Sequence, residues 1–227
     1  MERIAVVIPA FQAAATIGDI VARSRAALPG AQVLVVDDGS TDGTGDEART
    51  SGATVLTHPR NRGKGVSLRS GVTRACAAGA PVIVTLDADG QHPPEEIPRL
   101  VEPLDGGRAD LVLGARGRSG AMPLSRRFTN WLSAGLASRI GGQEVRDAQT
   151  GFRAFTRAVA ERLRPAGERY EYEANFLLDA LGAGYRVVCV DVPTIYGTPS
   201  HFRPWGDTWR MARAFARHAG RIVVGAT

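Results

Sequence analysis

Residues 81–94 read PVIVTLDADGQHPP. Residues 82–86 form a short apolar run rich in β-branched side chains, the signature of a buried strand. The run ends in two carboxylates, Asp87 and Asp89, with only Ala88 between them. Residues two apart at a strand end point the same way. Like charges held that close repel unless protons or a cation intervene. Mg²⁺ binds through one or two carboxylates, several waters and the phosphates of a substrate. An isolated Asp-x-Asp fits an ordinary turn. At the tip of an apolar strand it points to a metal that holds a diphosphate.

Outward from this stretch, apolar runs at 4–8, 33–36, 54–57, 82–86 and 111–114 alternate with helical patterns near 16–28, 44–51, 65–78 and 94–104. That rhythm predicts an α/β fold with a mostly parallel central sheet covered by helices. The second half is less regular: helices near 124–140 and 171–183, strands near 151–155 and 186–191, and a last helix after Pro204. No repeat or linker breaks the chain, so residues 1–203 are expected to form one domain, followed by a C-terminal amphipathic helix over 204–227.

In parallel sheets ligands bind beyond the carboxyl ends of the strands. Each strand of the first half ends in residues that a core does not need: Pro9-Ala10-Phe11, then Asp37 to Gly43, then Asn61 to Gly65, then Asp87 and Asp89, then Gly114-Ala115-Arg116. Asp37-Asp38-Gly39-Ser40 is either a turn or an acceptor for a nucleoside base or ribose. The G-x-G-x-x-A at 43–48 does not open directly off a strand, as a dinucleotide site requires, and two aspartates intervene. Lys64 is the only lysine among 28 basic residues. A flexible point charge beside glycines suits phosphate, although chance can also leave one lysine. Arg116, Arg126 and Arg127 are candidates to clamp phosphate oxygens. His92 reads as a turn residue. Glu171 and Glu173 open a helix, where the dipole alone favours acids.

The chain has 227 residues, 44% apolar and 22% charged, which suits one soluble globular domain. No apolar run reaches the roughly 20 residues of a membrane span. The N-terminal MERIAVVIPAF lacks the pattern of a signal peptide, so a cytoplasmic protein is expected. Cys76 and Cys189 have no metal-ligand spacing. The net charge is +5, and residues 201–221 hold five arginines against one acid. At about 100° per residue, Arg210, Arg213, Arg217 and Arg221 share one helix face, opposite Trp209, Phe215 and Ile222. Such a helix lies on an anionic membrane or packs its apolar face on the domain. The basic residues elsewhere are balanced by acids, which argues against nucleic acid as a partner.

VVIPAF, VVDDGSTDGT, NRGKGVSLRSGV, LDADGQHPP, GAR, DAQTGFRAF and YEYEANFLLDA occur in the order found in family 2 glycosyltransferases. From about residue 4 to 210 the chain resembles that family, above all its dolichyl- or polyprenyl-phosphate glycosyltransferase branch. The resemblance implies a single GT-A (Rossmann-like) domain and an inverting transfer of a hexose, mannose or glucose, from a GDP- or UDP-sugar to a polyprenyl phosphate. It implies that Pro9, Phe11, Val36 and Asp38 line the nucleotide site. It implies that Asp87, Ala88, Asp89 and Gln91 surround Mg²⁺ or Mn²⁺ and the donor diphosphate, aided by Lys64. It places Arg116 and Arg126 or Arg127 on the donor or acceptor phosphates, and residues 149–153 near the acceptor. For a sugar hydroxyl acceptor, Glu171 or Glu173 is the candidate base. The resemblance leads to the expectation of a cytoplasmic protein that sits peripherally on the inner face of the cytoplasmic membrane, whereas many relatives continue into transmembrane helices. The chain departs from it at Asn175, where relatives often carry an acid, and at Ser200-His201, where some carry Ser-Lys. A nucleotidyltransferase would want a Gly-rich, Arg-containing loop in place of Pro9-Ala10-Phe11. A non-catalytic sugar-nucleotide or membrane-binding module would not need paired acids.

Overall fold

The computed structural model describes residues 4–116, 124–169, 171–195 and His218, with the backbone alone for 124–128. Seven strands form one sheet: β1 Ala5–Ala10, β2 Gln32–Asp37, β3 Thr54–Thr57, β4 Val82–Thr85, β5 Leu111–Arg116, β6 Arg153–Thr156 and β7 Val187–Val192. Their spatial order is β3-β2-β1-β4-β6-β5-β7. The helices are α1 Ala14–Ala27, α2 Thr44–Thr50, α3 Lys64–Ala77, α4 Ile97–Asp105, α5 Leu124–Gly141, α6 Arg157–Arg162 and α7 Glu171–Gly182.

Both faces of the sheet are covered, so the strands are apolar on both sides. Ala5, Val7, Leu34, Ile83, Leu111 and Phe155 pack with residues of α3, α5 and α7. Val6, Ile8, Val33, Val84 and Val112 pack with residues of α1 and α4 on the other face. The alternation along β1 is the period of two that a pleated strand dictates.

Strand β6 runs against β4 and β5, while every other pair is parallel. The amino end of β6 therefore lies at the same sheet edge as the carboxyl ends of the other six. The sequence predicted a strand from 151, but the ladder opens at Arg153. The preceding residues are drawn into loop bonds: Phe152 N donates to Thr150 Oγ1 at 3.2 Å, and Thr85 Oγ1 donates to the Gly151 carbonyl at 2.8 Å. Helix α6 was not anticipated; Thr156 caps it by accepting from Val159 N.

The order reverses at β1, because the chain runs from β1 to β2 and β3 and then returns to β4 on the other side. Open sheets bind ligands at such a switch point. Here Pro9 helps to make the opening. The β1–β4 register stops at Val7 opposite Thr85, whereas the β1–β2 register continues to Ala10. Pro9 has no N–H with which to extend the ladder toward β4. The two chains part there, with Pro9-Ala10-Phe11 on one side and Asp87-Ala88-Asp89 on the other.

Candidate active site

The loop after β4 is pinned from α1, where Thr16 Oγ1 donates to the Ala88 carbonyl at 2.7 Å. Asp87 and Asp89 stand on either side of that anchor. Lys64, the first residue of α3, reaches Asp87 Oδ1 at 2.7 Å and Glu173 Oε1 at 3.1 Å. One ammonium is thus shared by two acids from different elements. Burial pushes Asp87 up, but Lys64 outweighs it and holds the carboxyl below its ordinary range. Glu173 is raised, by its deep burial first and by the neighbouring Asp87 charge as well. Asp89 is also raised, by burial and by Asp87. Its Oδ1 accepts from Gln91 N at 3.0 Å, so the DADGQ turn is closed by its own aspartate.

Two crowded carboxylates, one of them raised by the other, are what a hard divalent cation relieves. Among the described residues no three His, Cys, Asp or Glu side chains gather into a ligand set. The site therefore fits an ion held by Asp87 and Asp89 that completes its shell with substrate oxygens and water, as Mg²⁺ does. It does not fit an all-protein cage.

Gly151 leaves room for this arrangement. A Cβ there would lie 2.5 Å from Asp87 Oδ2 and 2.7 Å from Oδ1. Gly151→Ala is expected to move the Asp87 carboxyl and lower kcat by about 10–30-fold, as misplacing a reacting-site group does. Unchanged circular dichroism would accompany the loss. Below Gly151 lies Arg153, 2% exposed. It donates to the carbonyls of Thr150, Glu173 and Ala148 at 2.8, 2.7 and 3.2 Å, so the buried guanidinium ties the start of β6 to α7.

Asp38 organises the loop before α3. Its carboxylate accepts from Arg62 N at 3.0 Å and Gly63 N at 2.8 Å, and His58 Nδ1 lies 2.6 Å away. His58 Nε2 continues to Ser70 Oγ at 3.1 Å. Gly39, at φ +76°, allows the crossing, since a Cβ would come within 2.5 Å of the Arg60 backbone. Asp38 is buried and spends its acceptors on residues that immediately precede Lys64. Asp38→Ala leaves the buried Gly63 N–H and the part-buried Arg62 N–H without their acceptor. A loss of about 2–4 kcal/mol in urea unfolding is expected, with a further fall in turnover because Lys64 loses its support.

The other predicted positions fall as follows. Phe11 is half-buried at the rim beyond β1. Val36 is fully buried, close to Gly71 of α3, so its side chain belongs to the core. Arg116, at the tip of β5, is gripped by Asp147 through Nε at 2.6 Å and Nη2 at 3.1 Å. Arg126 and Arg127 lie in the first turn of α5, and their side chains fall outside the described residues. Glu171 and Glu173, equivalent by eye, diverge because they sit about 200° apart on a helix. Glu173 joins Lys64, whereas Glu171 Oε1 accepts from Glu168 N at 3.1 Å. Asn175, the departure from the family pattern, donates to the Ala166 carbonyl at 2.7 Å. The helix expected over 204–227 and Ser200-His201 lie outside the described residues, except that His218 Nε2 is 2.9 Å from Asp179 Oδ1 on α7.

Sequence reasoning missed Asp147, fully buried beneath Arg116, and His58, and it reached Arg153 only as the end of the 149–153 segment expected near the acceptor. The signal for Asp147 was its place in DAQTGFRAF. Nothing local marked His58, whose partner is 20 residues away. His92 is buried against Phe152, with ring centroids 5.4 Å apart; burial lowers its basicity.

The glycosyl transferase family 2 model matches residues 5–164. The chain is 32% identical to an undecaprenyl-phosphate mannosyltransferase of Micrococcus luteus, covering 79% of each chain. It is 33% identical to a polyprenol monophosphomannose synthase of Mycolicibacterium smegmatis, covering 84% of this chain and 77% of that one. Among solved structures it resembles glucosyl-3-phosphoglycerate synthase of Mycobacterium tuberculosis in complex with Mg²⁺ and UDP. The TM-score is 0.77 at 25% identity, over 96% of this chain and 80% of that one. The same enzyme, bound to Mn²⁺, UDP and glucosyl-3-phosphoglycerate, matches at a TM-score of 0.76. With paired aspartates at the switch point of this sheet and these relatives around it, the chain belongs to glycosyl transferase family 2 and is a glycosyltransferase.

Proposed function

We propose that the enzyme transfers a hexose from a nucleotide sugar to a polyprenyl phosphate. The observation that carries the reading is the Asp87–Lys64–Glu173 cluster at the β1/β4 opening, beside the Arg116–Asp147 pair. Two of the relatives, an undecaprenyl-phosphate mannosyltransferase and a polyprenol monophosphomannose synthase, are named for prenyl acceptors.

Asp87 and Asp89, with Gln91, would hold Mg²⁺ or Mn²⁺, which when bound supplies positive charge to the donor diphosphate. Lys64 lends a second positive charge to the same leaving group. A phosphate oxygen of the acceptor bonds to the anomeric carbon from the face opposite the diphosphate. The carbon–oxygen bond to the diphosphate breaks, and its electron pair leaves with the nucleoside diphosphate. The configuration inverts. A phosphate monoester has its second pKa at about 6, so the attacking oxygen needs no strong base. Glu173 is already engaged with Lys64, which suits a positioning role. Arg116, fixed by Asp147, is the described arginine best placed to meet a phosphate.

The test is incubation of the purified protein with GDP- and UDP-hexoses, Mg²⁺ or Mn²⁺, and undecaprenyl phosphate, followed by mass spectrometry of the lipid fraction. A hexosyl-phosphoprenol is expected. Transfer to 3-phosphoglycerate with none to the prenyl phosphate would overturn the reading.

A further inference from the structure

We infer that Asn175 and Arg69 are positioning residues for sugar transfer: they close residues 165–168 as a clasp between α3 and α7, and the clasp holds Lys64 where Asp87 and Glu173 share it. The inference rests on the reading in which Lys64 lends its charge to the donor diphosphate.

Residues 165–168 lie between α6 and α7 and form neither helix nor strand. Their carbonyls are nevertheless all taken. Pro165 and Gly167 accept from Arg69 Nη2 of α3 at 3.3 and 2.8 Å. Ala166 accepts from Asn175 Nδ2 of α7 at 2.7 Å. Glu168 accepts from Gly65 N and Val66 N, in the first turn of α3, at 2.8 and 3.3 Å. The N–H of Glu168 is held as well, by Glu171 Oε1 at 3.1 Å. The Arg69 guanidinium also stands over the Tyr172 ring, 5.6 Å from its centroid, so one side chain joins α3, the clasp and α7. A surface loop ordinarily leaves its carbonyls to water. Here successive carbonyls answer to two helices in alternation.

Those helices carry the two ends of one contact. Lys64 opens α3, Glu173 sits on α7, and the ammonium must reach Glu173 and Asp87 together. The clasp fixes the separation of the helices next to both residues, at Gly65 on one side and Asn175 on the other. Gly65 permits the approach, since a Cβ there would lie 2.7 Å from Tyr172 Cβ and 2.8 Å from the Glu168 carbonyl carbon. The N–H groups of Gly65 and Val66 are spent on a neutral carbonyl, so a donor phosphate meets this helix end through the Lys64 charge. Asn175 is 2% exposed, and its partner is an acceptor, so only a donor serves there. The acid that the family pattern often has at this position cannot donate when ionised. It would set one buried acceptor against another. The amide is what lets this chain close the clasp.

The experiment uses the full chain, with release of nucleoside diphosphate as the readout of donor cleavage. Asn175→Asp is expected to lower kcat about ten-fold with the donor KM within about two-fold of the wild type, because a displaced charge is felt in the transition state. Arg69→Ala removes two carbonyl bonds from an exposed side chain, which keeps the core intact, and carries the same expectation. In a Lys64→Met background either substitution is expected to change kcat by less than about two-fold, since the group it positions is gone. A purely structural role would multiply the losses instead. Trypsin acting on the native proteins is expected to cut after the exposed Arg169 roughly ten-fold faster in both variants, read by mass spectrometry of that one bond. Unchanged kcat in both variants, losses that multiply with that of Lys64→Met, or unchanged cleavage after Arg169 overturns the inference. Full turnover by Lys64→Met itself removes the role of Lys64 on which the inference rests. Donor hydrolysis by water, assayed without prenyl phosphate, separates the acceptor from both: a wild type that fails only with prenyl phosphate loses the acceptor assignment, and the same ratios of hydrolysis rates still decide the clasp.

Discussion

Asp89→Ala is expected to lower kcat by about three orders of magnitude, the scale on which a preorganised positive charge stabilises a leaving group. Asp89 is a cleaner probe than Asp87, because Asp87 is also bound to Lys64 and its removal would disturb two things at once. Among the described residues Asp89 accepts one turn hydrogen bond, from Gln91 N. Its folded-state carboxyl is raised by burial and by Asp87, so its charge opposes folding at neutral pH. Removing it should leave thermal stability unchanged or slightly higher while turnover collapses. Single-turnover assays in Mg²⁺ and in Mn²⁺, with a melting curve on the same sample, check both halves. Turnover within three-fold of the wild type would remove the paired-acid mechanism.

Lys64→Met should produce the second large effect, and here stability and activity fall together. The substitution keeps the length of the side chain and deletes the charge that Asp87 and Glu173 share. Two mostly buried acids are then left without a counter-charge, which costs about 2–4 kcal/mol of folding stability. The leaving group also loses a positive charge, and kcat is expected to drop about 100-fold or more. The two losses separate in a double variant. Glu173→Gln added to Lys64→Met removes one of the stranded acids, so most of the stability should return while turnover stays low. Arginine is no substitute, since its planar fork cannot place one compact charge between the two oxygens. A Lys64→Met enzyme that keeps its melting temperature would show that the shared ammonium does not hold the cluster.

Much of this geometry is legible in the amino-acid sequence. Each of the first five strands closes on residues foreign to a core, and a parallel sheet delivers those residues to one edge. The run VIVTL followed by Asp87 and Asp89 therefore marked the loop that faces Pro9-Ala10-Phe11 across the opening between β1 and β4. The second half resisted because its key contacts are made by burial and reversal. Strand β6 runs backward, and only that reversal brings Gly151 against Asp87 and Arg153 under α7. Glu171 and Glu173 are alike in sequence, and a helix turn of about 200° separates their fates. Asp38 invited a reading as a ligand contact because a turn aspartate looks available. Its partners, His58, Arg62 and Gly63, come from a loop that folds back from 20 or more residues away. Lys64 was singled out by its uniqueness, yet nothing in its own neighbourhood names the acids that hold it, Asp87 in the loop after β4 and Glu173 on α7.

The most direct measurement is Mn²⁺ binding followed by electron paramagnetic resonance, with and without UDP or GDP, in the wild type and in Asp89→Ala. The expected result is weak binding of Mn²⁺ alone, at least ~10-fold tighter binding when a nucleoside diphosphate is present, and loss of that gain in the variant. Mn²⁺ that binds equally well to both proteins, with no response to the nucleotide, would contradict a divalent ion shared between Asp89 and the donor diphosphate.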